Sequence, residues 1–247
     1  NIEIKGEIMY YWEYIIIAIL ILPALVFAMY AQIKVQSTFN KYSLINASCN
    51  LTGTEIARKM LEKNGIHSVQ VMRAKGSLTD NYNPKTKRIN LSEPVWNSTS
   101  VAAIGVAAHE TGHALQDARN YAPMKIRTAV IKLSNFASSL FMPLILIWLV
   151  LFFVLASSLI GEIFIWVGVG IFSLGALVNI ATLPVEVNAS RRALKQLEGM
   201  GIMTTNELGQ VKQVLSAAAM TYVASLLISL LSLARLVIIA LSVTRRD

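Results

Sequence analysis

Long apolar blocks alternate with polar ones along the chain. Tyr14 to Ala31 is apolar throughout, Leu140 to Leu159 and Ile163 to Leu183 are separated by only a few residues around Gly161-Glu162, and Val214 to Val243 holds a single charge, Arg235. A helix rises about 1.5 Å per residue, so each block can cross a hydrocarbon core about 30 Å thick. The pattern predicts four membrane spans, the middle two forming a hairpin. The last block exceeds one crossing, and its first turns are expected to protrude.

The polar region between the first two blocks has a finer grain. Gln32 to Asn50 reads as a connecting segment. Thr52-Gly-Thr-Glu55 resembles a helix start, Ile56, Met60 and Leu61 carry the helical period, and Asn64-Gly65 stops it. Val69 to Arg73 alternates like a strand, Asp80 to Pro84 is rich in turn formers, and Arg88 to Ser92 is a second strand candidate. Asn97 to Ser100 then offers N-caps for an apolar helix, Val101 to Gln116. Beyond Pro123, Met124 to Ser138 reads as an amphipathic helix along the membrane surface, with Lys125, Arg127 and Lys132 suited to anionic headgroups. After the hairpin, Pro184 to Arg192 leads into a short helix to Glu198, a break at Gly199 and Gly201, and a polar stretch to Gln213. The expected divisions are therefore 1–31, 32–139, 140–183, 184–213 and 214–247.

Composition agrees with a bilayer protein: 55% of the 247 residues are hydrophobic, and mean hydropathy is +0.55. The net charge of +8 has no aromatic-and-basic stripe with it, so nucleic acid is not an expected partner. Topology accounts for the charge better. Glu3, Glu7 and Glu13 precede the first span, Lys34 and Lys41 follow it, and Arg191, Arg192, Lys195 and Lys212 fill the loop after the third, whereas Glu162 sits alone at the hairpin tip. Basic loops face the cytoplasm. The first span lacks a basic leader and a small-residue cleavage site, and is read as a retained anchor. Arg245 and Arg246 run against the charge rule if the last block crosses. The single cysteine, Cys49, excludes an internal disulfide and any cysteine-rich metal site.

The chemistry concentrates in His109-Glu110-Thr111-Gly112-His113. Two of only three histidines fall four apart, so on a helix both imidazoles meet one ion. Zinc is the expected occupant. Glu110, one position on, is placed to take a proton from a water polarised by that ion. Two incidental surface histidines are the bland alternative, but Val101 to Ala108 make the helix apolar, and unpaired His and Glu are costly in such surroundings.

A catalytic zinc normally takes three protein ligands and leaves one position open. Asp117 would lie on the same helix, Glu162 belongs to the opposite side by the charge argument, and Glu198 and Glu207 sit in polar contexts that suggest solvated side chains. Glu186 stands in an apolar setting after Pro184, and the two intervening spans return the chain to the face of His113. It is the favoured third ligand, with an interfacial anion paired to Arg191 or Arg192 as the alternative. Arg88 to Ser92, just before the motif helix, is the candidate strand for an extended substrate, and an ordinary hairpin strand is the alternative.

These residues resemble the YugP-like neutral zinc metallopeptidases, bacterial membrane proteins with the same order of parts. The likeness rests on Ala31 to Asn40, Leu51 to Ala57, Leu78-Thr-Asp80, Ala107 to Ala114 and Leu183 to Ala193, and so covers nearly the whole chain. It implies a membrane-bound zinc endopeptidase with His109, His113 and Glu186 as ligands and Glu110 as base. A wider analogy is with the heat-shock membrane protease HtpX, in which an Asp four residues beyond the ligand Glu supports a zinc-binding His. Here that position is Ser190, which can still accept an imidazole N–H, and Asn188 is a second choice.

The expected fold is thus a mostly α membrane protein of about four transmembrane helices. It carries a zincin-like unit, a short hairpin or small sheet plus the motif helix, at the cytoplasmic surface of a bacterial cell membrane. The expected partners are one zinc ion, peptide or protein substrates including membrane proteins, and the lipid bilayer. Tyr82, Asn188, Arg191 and Arg192 are all open as donors to a developing oxyanion. Two rivals stand beside this reading. An intramembrane-cleaving protease is disfavoured because Asp117, Arg119 and Asn120 follow the motif too soon for its helix to span, and a scaffold with a structural zinc would need no Glu110.

Overall fold

The computed structural model describes residues 2–155 and 158–244, and the side chains of all these except 2–18, 20, 141, 149, 152–155, 158–160 and 243–244. Four helices carry the apolar blocks: α1 (Ile2–Ser43), α5 (Ala122–Leu155), α6 (Ser158–Met200) and α7 (Thr205–Thr244). Between α1 and α5 lie α2 (Gly53–Lys63), β1 (Gln70–Arg73), β2 (Asn81–Asn83), β3 (Arg88–Leu91), α3 (Glu93–Trp96) and α4 (Val101–Ala118). The chain divides into two compact units, one of Asn1–Met29, Ile126–Thr182 and Tyr222–Asp247, the other of Tyr30–Lys125 and Leu183–Thr221.

The first unit is helical and apolar. Among the described residues, three helical segments are long and apolar enough to cross a membrane: Ala122–Trp148, Gly161–Met200 and Thr205–Ser242. Large apolar side chains such as Leu146, Ile147, Ile163 and Leu177 point outward, the arrangement that acyl chains, not water, would cover. Two hydroxyls inside these segments close onto their own helix, Ser173 donating to the Val169 carbonyl at 2.7 Å and Thr182 to that of Val178 at 2.7 Å, which satisfies both donors without water. The first expected crossing lies within α1, with the side chains of residues 14–18 and 20 outside the described residues. Arg245 and Arg246 also lie outside them.

Several boundaries differ from those read in the sequence. Gln32 to Ser43 is not a connector but the end of α1, because Ala31, Thr38, Phe39 and Tyr42 form a buried stripe at helical spacing. Met124 to Ser138 is not a separate surface helix, since α5 runs on through it to Leu155. Likewise α6 continues through Pro184; a proline costs one backbone hydrogen bond and can be carried where neighbouring packing holds the helix.

The second unit positions the site. Thr52 caps α2 in a reciprocal capping box with Glu55, and Asn64 ends it, as the sequence indicated. Phe39, Ile56, Met60, Leu91, Leu115 and Leu197 join one buried core, which draws on α1, α2, β3, α4 and α6. The three strands make one sheet in the order β1-β3-β2, with β1 parallel and β2 antiparallel to β3. Ile89 and Leu91 are buried while Arg88 is exposed, the alternation of a strand with one face on a core. Because β3 is paired on both sides, Arg88 to Ser92 cannot accept an extended substrate along its edge, contrary to the expectation above. The unpaired edges belong to β1 and β2.

Candidate metal centre

Ser100 starts α4 by accepting a hydrogen bond from the Ala103 amide at 3.2 Å, and the helix runs unbroken to Ala118. His109 and His113 therefore stand one turn apart, ring centroids 4.8 Å from each other and planes at 84°. α6 supplies the third group. Val185, Ala189 and Ala193 turn its core face inward and carry Glu186 with them, only 3% exposed. Gly112 makes the meeting of the two helices possible: a Cβ there would lie 2.5 Å from the Ala189 carbonyl oxygen and 3.1 Å from its carbon. Any side chain at position 112 would force α4 and α6 apart.

Both imidazoles aim Nε2 at one carboxylate oxygen. Glu186 Oε2 is 3.2 Å from His109 Nε2 and 3.4 Å from His113 Nε2. Ligand atoms about 2.0–2.1 Å from a tetrahedral zinc are about 3.3 Å apart, so the spacing suits one ion held between them. Among the described residues the three side chains form a group that could hold a metal, with all ligand atoms within 4.8 Å of one another. Asp117, the alternative on α4, is engaged elsewhere, accepting from the Tyr82 hydroxyl at 2.6 Å and from Lys87.

The electrostatics suit a cation. Burial opposes ionisation of Glu186, but hydrogen bonds and charge from His109 and His113 prevail and hold its carboxyl well below the usual range. Burial likewise works against a charged His113, yet the hydrogen bond and charge of Glu186, with the charge of Glu110, raise it. Glu110 is buried on the same helix. Its burial raises the carboxyl, the charges of His109 and His113 partly offset this, and Glu186 and Asp80 add to the rise.

Each imidazole is also held from behind. Ser190 Oγ lies 3.1 Å from His109 Nδ1, the contact that the sequence left open between Ser190 and Asn188. His113 Nδ1 instead meets Gln116 Oε1 at 3.0 Å, a partner the sequence reading missed although it lies three residues on, on the same helical face. Asn188 acts one step further out, its Oδ1 accepting from Gln116 Nε2 at 3.0 Å and from Arg192 Nε at 2.7 Å. Asp80 was equally unassigned. It accepts from the Ser92 amide and hydroxyl at 2.7 Å each, tying the start of β2 to the end of β3 near enough to Glu110 to affect its charge.

Two other expectations change. Glu207 is not solvated but 8% exposed, and caps α7 by accepting from the Thr204 amide at 2.7 Å while also binding Ser48 Oγ at 2.8 Å. Of the four oxyanion donors considered, Tyr82 gives its hydroxyl to Asp117, Arg192 gives Nε to Asn188, and Arg191 is exposed.

Comparison with known proteins fits this geometry. The family model described as "Putative neutral zinc metallopeptidase" matches residues 17–241. The chain is 42% identical over 224 residues to "Putative membrane protease YugP" of Bacillus subtilis (strain 168), covering 90% of this chain and 96% of that protein. No solved structure matches.

Proposed function

Because the chain belongs to this neutral zinc metallopeptidase family, we propose that it is a membrane-bound zinc endopeptidase working at the cytoplasmic membrane surface. The observation that carries the reading is the convergence of His109 Nε2 and His113 Nε2 on Glu186 Oε2, with buried Glu110 beside them. His109, His113 and Glu186 are the zinc ligands, two neutral imidazoles and a carboxylate. Zinc supplies a Lewis acid that brings the pKa of water to about 7 and polarises a peptide carbonyl.

Glu110 is the general base. It takes the proton of the attacking water and returns it to the leaving amine. A carboxylate with an ordinary acidity would be a weak acceptor at neutral pH, and burial raises this one, as suits a group that must both accept and give up a proton. An extended peptide is received along the outer edge of β2, the antiparallel edge strand of the sheet. Its first neighbour, Asp80, adds its charge to those of His109, His113 and Glu186 acting on Glu110. Main-chain hydrogen bonds to such an edge bind a substrate with little regard to its sequence.

Purified protein is expected to cleave an unfolded model substrate, to lose that activity when a chelator removes the metal, and to regain it when zinc is restored. Activity that survives complete removal of zinc would refute the proposal. Orientation is tested by trypsin: the exposed turn between β2 and β3, at Lys85, should be cut in inverted vesicles and protected in intact cells, and the reverse pattern would place the site outside.

A further inference from the structure

We infer that Gln116 is a positioning residue that holds His113 in the tautomer whose Nε2 is free to face zinc at this site and ties that ligand to the helix carrying Glu186. The inference rests on the zinc-site reading above. It follows from the order in which donors and acceptors are fixed around one buried amide.

The amide of Gln116 could in principle face either way, and its neighbours decide. Nε2 lies 2.7 Å from the Val185 carbonyl oxygen, a group that can only accept. Its second neighbour is Asn188 Oδ1 at 3.0 Å. That atom is itself identified as the oxygen by Arg192, whose Nε stands 2.7 Å away and can only donate. Two groups that cannot reverse their roles, a backbone carbonyl and a guanidinium, thus make the same assignment independently. Gln116 Oε1 must face His113, 3.0 Å from Nδ1, and Nδ1 must carry the proton. In the neutral ring that would take a metal, the lone pair is then on Nε2, the atom directed at Glu186 Oε2. A metal takes a neutral imidazole through such a lone pair.

The other ligand is held differently. His109 Nδ1 meets the hydroxyl of Ser190, which rotates and can donate or accept. Ser190 steadies the His109 ring without selecting its tautomer. Gln116 also does something Ser190 does not: by bonding the carbonyl of Val185, the residue before Glu186, it links the backbone of the carboxylate ligand to the ring of an imidazole ligand. Gln116 is fully buried, so water cannot replace these bonds.

The test is zinc affinity of the purified full-length apo-protein, measured by competition with a chelator of known affinity, with thermal unfolding of each apo-variant as the check on folding. Gln116→Met keeps the volume and removes every hydrogen bond. It is expected to bind zinc about 10- to 100-fold more weakly than the parent and more weakly than Ser190→Ala. Gln116→Met that binds within threefold of the parent, or better than Ser190→Ala, would overturn the inference. Should Gln116→Met fail to fold, Asn188→Leu and Asn188→Asp decide. The leucine removes one of the two groups that orient the amide and should weaken zinc binding several-fold, while the aspartate keeps the acceptor and should restore it. Equal affinities in that pair would overturn the inference. A parent that binds no zinc would instead refute the proposed function, and this inference with it.

Discussion

Glu110→Gln is expected to retain a full complement of zinc and to hydrolyse unfolded substrate about 10²- to 10⁴-fold more slowly than the parent, the range of a general base. The substitution changes almost nothing in shape, and Glu110 is only 9% exposed, so a difference in packing cannot be the cause. It removes the proton acceptor. The same exchange also relieves a cost, because burial disfavours the Glu110 carboxylate and a neutral amide carries no such penalty. The variant should therefore melt no lower than the parent while losing its turnover. Measured together, zinc content, melting temperature and kcat/KM separate this result from simple misfolding. A variant with more than a tenth of parental turnover would remove Glu110 from the reaction.

Glu186→Ala should have the opposite signature, failing first in metal binding. The carboxylate joins the two imidazoles in the candidate metal group, and it brings its charge from a different helix. Without it, His109 and His113 keep their places on α4 but face each other with no anion between them. Zinc affinity should fall by more than about 100-fold, beyond the range seen when only a supporting hydrogen bond is lost. Turnover should fall with it and be partly recovered at high zinc concentration. Glu186→Ala that holds zinc with parental affinity would end the assignment.

The contrast between these variants depends on a helix contact that the sequence made only half visible. The histidine pair was legible because helical spacing alone puts residues four apart on one face. Glu186 was legible because a carboxylate in an apolar setting needs a partner. What spacing could not convey was how α4 and α6 meet. Gly112 lies between the two histidines, and its missing Cβ admits the Ala189 carbonyl, so the motif contains its own helix-docking surface as well as its two imidazoles. Gln116 was missed for a related reason: its role appears only when Val185 and Asn188 arrive from α6.

In the fold, local signals were reliable where a cap or a turn residue spoke for itself, as at Thr52, Asn64 and Ser100. They failed where tertiary packing overrides a local break. Pro184 marks a boundary by propensity, yet α6 passes through it. The end of α1 looked like a linker because its apolar positions are sparse, although Phe39 and Tyr42 bury against the core. Strand order was beyond reach: alternation identifies Arg88 to Leu91 as a strand but says nothing of which strands flank it. The central place of β3 leaves the unpaired edges to β1 and β2.

The most direct measurement is a crystal structure of the zinc-loaded protein with data collected at the zinc absorption edge. A single anomalous peak is predicted, about 2.0–2.2 Å from His109 Nε2, His113 Nε2 and a carboxylate oxygen of Glu186. A zinc peak bound elsewhere, or one held by the two histidines with Glu186 turned away, would contradict the account.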